Sequence, residues 1–252
     1  MSLKIESFKK IRKDKKKWKV ETPEEFEERE DTFLKKRLLG KEPTINTFVR
    51  ITGGKAKNYR IDIPKTTRPL TDRMKVRIFD ILREDVVNKK VLDLYAGAGS
   101  FALEALSRGA SEATVVDASK NAEFVLKRNV AYTGFLPQVD IIKAKAEEYL
   151  FKQINDEERQ SFDIVFMDPP YKLYNTKNLF KMERVINMAA QMLNGVKDPD
   201  TKEFKGTLIV KHPRRYPLEK LTLVGIKKLE TVEIGLNSIS FFIVDNTLQK
   251  EN

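Results

Sequence analysis

Val91-Leu92-Asp93-Leu94-Tyr95-Ala96-Gly97-Ala98-Gly99-Ser100 decides the fold. Its first half is a short apolar run that reads as a buried strand, with glycines on its far side. Gly97 and Gly99 let the backbone turn tightly and approach a ligand without a Cβ in the way. Phe101–Ser107 carries helix-forming residues, so the turn lies between a strand and a helix N-terminus, where free N–H groups face a ligand. A second run, Glu112–Val116, ends in Asp117, twenty residues beyond Gly97. An acid at that spacing closes the next strand of a βαβ unit and is placed to bind a ribose diol. As ordinary structure, Asp93 reads as an acid bracing a turn or capping a helix, and Asp117 as a strand-end turn acid. Both readings stay open at this point.

The bulk properties narrow the field. A chain of 252 residues can bury one good core and a small appendage. It has no cysteine, which removes disulfides and thiolate metal sites and permits a reducing compartment. His212 is the only histidine, so zinc chemistry or a histidine base is a poor fit. No apolar run approaches the ~20 residues of a membrane span, and no signal peptide is visible. The net charge of +11 favours a polyanionic partner, nucleic acid before acidic membrane. That charge is uneven: Lys9, Lys10, Lys13, Lys15, Lys16, Lys17 and Lys19 crowd around Trp18 in what reads as a solvated, phosphate-compatible tail.

Along the chain, Thr22-Pro23-Glu24-Glu25 forms a capping box for a helix from about Pro23 to Leu39, stopped by Gly40. From Thr47 to Ile63 the apolar period changes to two, around Gly53-Gly54 and Asn58, which predicts a hairpin with a basic loop. A hairpin alone is marginal, so it is expected to lean on the main domain as a charged flap. Thr71 caps a helix to about Val86, with Met74, Ile78, Ile81 and Leu82 on its buried face. Strands 91–95, 113–117, 139–143, 163–167 and 207–211 then alternate with helices 100–108, 119–133, 145–153 and 177–194. Two further strands meet near Gly235-Leu236-Asn237. That alternation predicts a doubly wound α/β sheet. The division is a basic tail and capped helix over 1–45, a basic hairpin over 46–70, and the sheet domain over 71–252.

Asp168-Pro169-Pro170-Tyr171 follows the strand at 163–167. An exocyclic base amine is a poor nucleophile, because its lone pair is delocalised into the ring. Acceptors on its N–H protons favour a pyramidal nitrogen and aim the lone pair. Asp168 and the Pro169 carbonyl offer such acceptors, the two prolines stiffen the turn, and Tyr171 can stack on a base. The glycine loop lacks the third glycine of the dinucleotide fingerprint. Together these segments resemble the S-adenosylmethionine-dependent amino-methyltransferases. Arg50-Ile-Thr-Gly-Gly54, Arg68-Pro-Leu-Thr-Asp-Arg73, Val91–Ser100, Leu103–Ala110 and Asp168–Tyr171 occur in order and are similar to the RsmD family of bacterial 16S ribosomal RNA guanine-N2 methyltransferases. The similarity covers roughly residues 46–245. The first two blocks are the family-specific ones.

The resemblance implies a Rossmann-like class I methyltransferase with a mostly parallel seven-stranded sheet, one strand antiparallel, and helices on both faces. It implies S-adenosyl-L-methionine as donor and an N-terminal hairpin touching RNA through Arg50, Lys55, Lys57, Arg60 and Arg68. Asp93, Tyr95, Ala96, Gly97, Gly99, Ser100, Asp117 and Ala118 would hold the donor, with Thr71 and Arg73 lining its pocket or the RNA entrance. Asp168, Pro169, Pro170 and Tyr171 would meet the target base. The partner would be ribosomal RNA or a small-subunit assembly intermediate, and the protein a cytoplasmic monomer away from membranes. Two departures stand out. Lys145 occupies the place of an aspartate that contacts adenine, leaving backbone atoms, Asp140 or Glu147 for that task. Lys211-His212-Pro213 ends a strand where a glutamate is common. A DNA adenine-N6 methyltransferase and a non-catalytic RNA-binding protein are the alternatives.

Overall fold

Strands that are apolar on both faces need helices on both faces. A computed structural model describes residues 45–64, 67, 69–174, 179–194 and 206–245. The lysine-rich segment, the helix expected at Pro23–Leu39, Arg68 and Gly195 lie outside these residues. The strands are β1 (Ile45–Arg50), β2 (Arg60–Pro64), β3 (Lys90–Leu94), β4 (Glu112–Asp117), β5 (Val139–Lys143), β6 (Ile164–Met167), β7 (Thr207–Pro213), β8 (Ile226–Ile234) and β9 (Asn237–Val244). The helices are α1 (Asp72–Leu82), α2 (Ser100–Ser107), α3 (Lys120–Thr133), α4 (Ala146–Ile154) and α5 (Leu179–Ala190).

β3 to β9 form one sheet in the order β5-β4-β3-β6-β7-β9-β8. β9 runs antiparallel to both its neighbours, and the other pairings are parallel. This is the Rossmann-like class I methyltransferase sheet. The strand order reverses between β3 and β6, so the crevice beyond their carboxyl ends is the place for a ligand. Period-two alternation separates two cores. Val91, Phe166 and Ile209 face the side of α1, α2 and the hairpin, while Leu92, Val165 and Val210 face the side of α4 and α5. No helix among the described residues is long and apolar enough to cross a membrane.

Some boundaries move for local reasons. Strand β3 stops at Leu94 because Tyr95 takes a left-handed φ of 60°. Helix α1 ends at Leu82, where Arg83 takes a φ of 46° and starts a 3-10 turn to Val86. Strand β7 runs on to Pro213 because β9 pairs with it as far as Asn237. The hairpin belongs to the same compact unit as the sheet.

The hairpin is fixed through α2, every residue of which is buried. Its Glu104 is fully buried and needs compensation. Thr52 supplies its backbone N–H at 2.8 Å and its hydroxyl at 2.7 Å, and Arg108 donates Nε at 2.8 Å. The equally buried Lys75 ammonium stands 3.6 Å away and also bonds the Arg50 carbonyl. At the end of α2 the Ser107 hydroxyl donates to Gly53 O at 2.6 Å, and the Lys55 N–H donates to Ser107 O at 2.7 Å. A Cβ on Gly54, at φ 77°, would stand 1.8 Å from that Ser107 oxygen, so only glycine fits. The Arg-Ile-Thr-Gly-Gly block is therefore a docking element as much as a surface one.

Removing one partner from a buried charge network strands the others. Glu104→Ala is expected to cost about 3–5 kcal/mol in denaturant unfolding, with Glu104→Gln costing less because it keeps an acceptor. A loss under about 1 kcal/mol, the size of a surface pair, would show that the hairpin is held by packing alone.

Candidate active site

The loop after β3 opens into a cavity of about 760 Å³. Asp93, Tyr95, Ala96, Gly97, Ser100, Asp117 and Ala118 line it from β3, β4 and the turns after them, and Asp168, Pro169, Pro170 and Tyr171 from the turn after β6. Ile63 and Thr67 add a wall that continues from β2, so the hairpin leads directly to the cavity. Gly99 stands outside the lining. At φ 73° it turns the chain into α2, and a Cβ there would meet Leu126 Cδ1 at 2.3 Å.

The acids are held by backbone amides. Asp117 Oδ2 accepts from Gly97 N and Oδ1 from Ser119 N, both at 2.8 Å. The turn-bracing reading of Asp117 thus holds together with its place at the cavity, since a carboxylate has further lone pairs. Asp93, 1% exposed, accepts from Ala102 N at 3.2 Å and so also braces the first turn of α2. Burial pushes its carboxyl well above the usual carboxylate range, against the Ala102 bond, and nearby Asp168 and Asp117 push it further. Asn129 on α3 donates to both Ala98 O and Asp62 O at 3.0 Å, tying the glycine loop to β2.

Other expectations are relocated. Thr71 and Arg73 do not line the cavity: Thr71 caps α1, its hydroxyl accepting from Met74 N at 3.4 Å, and Arg73 is exposed on that helix. Asp140 lines a different hollow at the opposite ends of the strands, and of these two acids Glu147 is the one that lines the cavity. Glu147 accepts from the Tyr95 hydroxyl at 3.2 Å, and burial beside that carboxylate raises the Tyr95 pKa. Lys145 lines the cavity too, with its ammonium on Glu148 at 2.7 Å. His212 lies outside the cavity lining, hydrogen-bonded to Ser240 Oγ at 2.9 Å, and burial lowers its pKa. Lys55, Lys57 and Arg60 are exposed on the hairpin, as is Arg50, whose backbone N–H donates to Asp72 at 3.2 Å.

Three features had no clear sequence signal. Lys211 bridges both oxygens of Asp168, at 2.8 and 2.6 Å. The Tyr171 hydroxyl donates to the Asn237 side chain at the β8–β9 turn. Ser100 Oγ is buried in the cavity wall with no hydrogen-bond partner. An orphaned hydroxyl at a helix N-terminus, beside acids and an apolar slot, fits a donor that carries a carboxylate, an ammonium, a ribose and a purine. Asp93, Ser100, Asp117 and Glu147 are the groups that would hold it.

This fold and this site define an S-adenosylmethionine-dependent methyltransferase. The family model described as "Conserved hypothetical protein 95" matches residues 49–212. The chain belongs to that family, the RsmD family to which its motif blocks are similar. Ribosomal RNA small subunit methyltransferase D of Buchnera aphidicola subsp. Baizongia pistaciae is 33% identical over 139 residues, 54% of this chain and 67% of that protein. The Escherichia coli K12 protein of the same name is 30% identical over 159 residues, 59% of this chain and 77% of its own length. Among solved structures, a hypothetical protein of Thermus thermophilus superposes with a TM-score of 0.58 and 26% identity, covering 77% of this chain and 98% of that one.

The raised Asp93 pKa has two consequences with opposite signs. A protonated carboxyl cannot pair with a cationic donor, so affinity for S-adenosylmethionine should rise as pH climbs above the usual carboxylate range and Asp93 gives up its proton, and stay flat in Asp93→Asn. Stability moves the other way. The unfolded carboxyl ionises from about pH 3.9 while the native one keeps its proton, so stability is lost as pH rises toward the native value. Melting curves should therefore show Asp93→Asn gaining on wild type across that window, and calorimetry should show it binding the donor more weakly.

Proposed function

We propose that the protein is an S-adenosylmethionine-dependent ribosomal RNA methyltransferase acting on the exocyclic N2 of a guanine in the small-subunit RNA. One observation carries the reading: a single cavity holds the donor acids Asp93 and Asp117 and the amine acceptors at Asp168-Pro169. Family membership and the names of the relatives support the RNA class. When bound, S-adenosylmethionine supplies an electrophilic methyl on a sulfonium, which needs no nucleophilic side chain.

The residues then have three tasks. Asp168 and the Pro169 carbonyl accept the amine N–H protons and turn the nitrogen lone pair toward the donor. Pro169 and Pro170 hold that turn rigid. The Tyr171 ring, anchored by its hydroxyl on Asn237, offers a face for the base. Catalysis by such a site is positioning plus directed electrostatics. A stacked guanine cannot reach it, so the target lies in a loop or is turned out of the helix.

The RNA would approach across the hairpin. Tyr59 on the hairpin and Tyr132 on α3 are exposed with ring centroids 5.3 Å apart, the hairpin also carries exposed Lys55, Lys57 and Arg60, and exposed Arg128 lies one turn before Tyr132. Aromatic faces among cations suit unpaired RNA. Lys57→Ala and Arg60→Ala should each flatten the log affinity against log salt slope by about 0.7 for each phosphate no longer neutralised, without changing donor binding. Tyr132→Ala should weaken RNA binding by about 1–3 kcal/mol. Unchanged slopes in filter binding would move the RNA to another face.

Mass analysis of ribosomal RNA from cells with and without the gene should find one N2-methylguanine missing from the small subunit. Methyl found on adenine, or no change, would overturn the reading. In purified protein, Asp168→Asn should lower turnover by about 10- to 100-fold, roughly 1.4–2.7 kcal/mol at the transition state, with donor affinity nearly unchanged. Asp168→Ala should lose stability as well, because it leaves the buried Lys211 ammonium unpaired.

A further inference from the structure

Lys211 is 5% exposed, lines the cavity, and places its ammonium on both carboxylate oxygens of Asp168. Sheet geometry puts it there. Met167 of β6 pairs with Val210 of β7, so Asp168 and Lys211 follow as neighbours on the face shared by Phe166 and Ile209. The Tyr174 hydroxyl, donated to Lys211 O at 2.6 Å, fixes the backbone at that point. The position facing the target amine is therefore not a lone acid but an acid and an ammonium side by side.

A target amine takes the lone pairs of Asp168 that Lys211 leaves open or displaces one of its two bonds, and in either case the ammonium stands beside the incoming base. It remains within a few ångströms of Asp168, in a buried wall where an unsatisfied charge is costly. An acceptor on the base itself would satisfy it. Along the pairing edge of guanine, N2 and N1–H are adjacent donors and O6 is the next group, an acceptor. With N2–H and N1–H on the carboxylate, O6 is the next group along the edge and an acceptor for an ammonium beside that carboxylate.

Resting on the guanine-N2 reading, we propose that Lys211 reads the target base by donating a hydrogen bond to O6 while Asp168 takes the adjacent N–H groups. The acid selects the amine and the lysine selects the keto oxygen beside it. No bond to Lys211 is made or broken in the transfer, so its effect is on which base is accepted.

The test uses the RNA fragment carrying the mapped nucleotide, made with guanine or with 2-aminopurine at that position. 2-Aminopurine keeps the N2 amine but lacks both O6 and the N1–H, so it is the change in preference between wild type and the Lys211 variants that reports on O6. Wild-type protein should prefer guanine in kcat/KM by about 100-fold or more, and Lys211→Met should narrow that preference by about 10-fold or more, as for loss of a charge-assisted hydrogen bond. Lys211→Gln, which keeps a neutral N–H donor, should fall between them; it carries the test should Lys211→Met not fold, as judged by melting and donor binding. A preference unchanged in both variants, with both substrates slowed equally, would overturn the inference and leave Lys211 as a structural counter-charge to Asp168. Wild-type methylation of an adenine fragment but of neither purine above would overturn the guanine reading instead.

Discussion

A carboxylate sealed inside an apolar helix is the constraint around which this molecule is built. Glu104 stands in the middle of α2, where no water reaches it, and its charge is tolerable only with partners. Those partners come from three places: Lys75 on α1, Thr52 on the hairpin connection and Arg108 one turn along α2. The network therefore does more than stabilise. It forces hairpin, α1 and α2 into one arrangement, because any other would leave a bare charge in the core. Helix α2 begins at Ser100, so the same network fixes the wall of the donor cavity.

Preorganisation runs through the site in the same manner. Asp117 holds the glycine loop and the start of α3 by accepting two backbone amides, and Asp93 holds the first turn of α2. The distinction between a structural acid and a binding acid disappears here. A carboxylate with fixed amide partners cannot swing away, and its remaining lone pairs point where the backbone dictates. Asp93 shows the cost: buried among other acids, it holds its proton beyond the usual carboxylate range. Sites that are ready for a cation are strained without one.

Beside the rigid Asp-Pro-Pro turn stands a lysine, where the family resemblance leads one to expect a glutamate. The Lys211–Asp168 pair makes that corner of the cavity zwitterionic, with Asp93, Asp117 and Glu147 as the remaining acids of the wall. A second glutamate in that position would have faced Asp168 as a like charge. Lysine at this place instead pairs with Asp168 and leaves the Asp-Pro-Pro turn intact.

The amino-acid sequence by itself determined the sheet strands, the glycine turn and the acids at its edges. Those features depend on spacing along one strand or one βαβ unit, where period two and chain reach leave little freedom. Asp93, Asp117 and Asp168 could be picked out because each ends or interrupts an apolar run at a fixed distance from the glycines. What only the tertiary structure decided is which distant residues meet. Lys211 is 43 residues from Asp168, and the two are neighbours only because β7 lies next to β6. Glu104 looks like one more helix former until Thr52, 52 residues earlier, is seen donating to it. Thr71 was legible as a cap, yet its distance from the cavity was not, since the direction in which α1 leaves the sheet is set by packing. Local patterns report what a residue can form; the charges a folded core must satisfy decide which partner it takes.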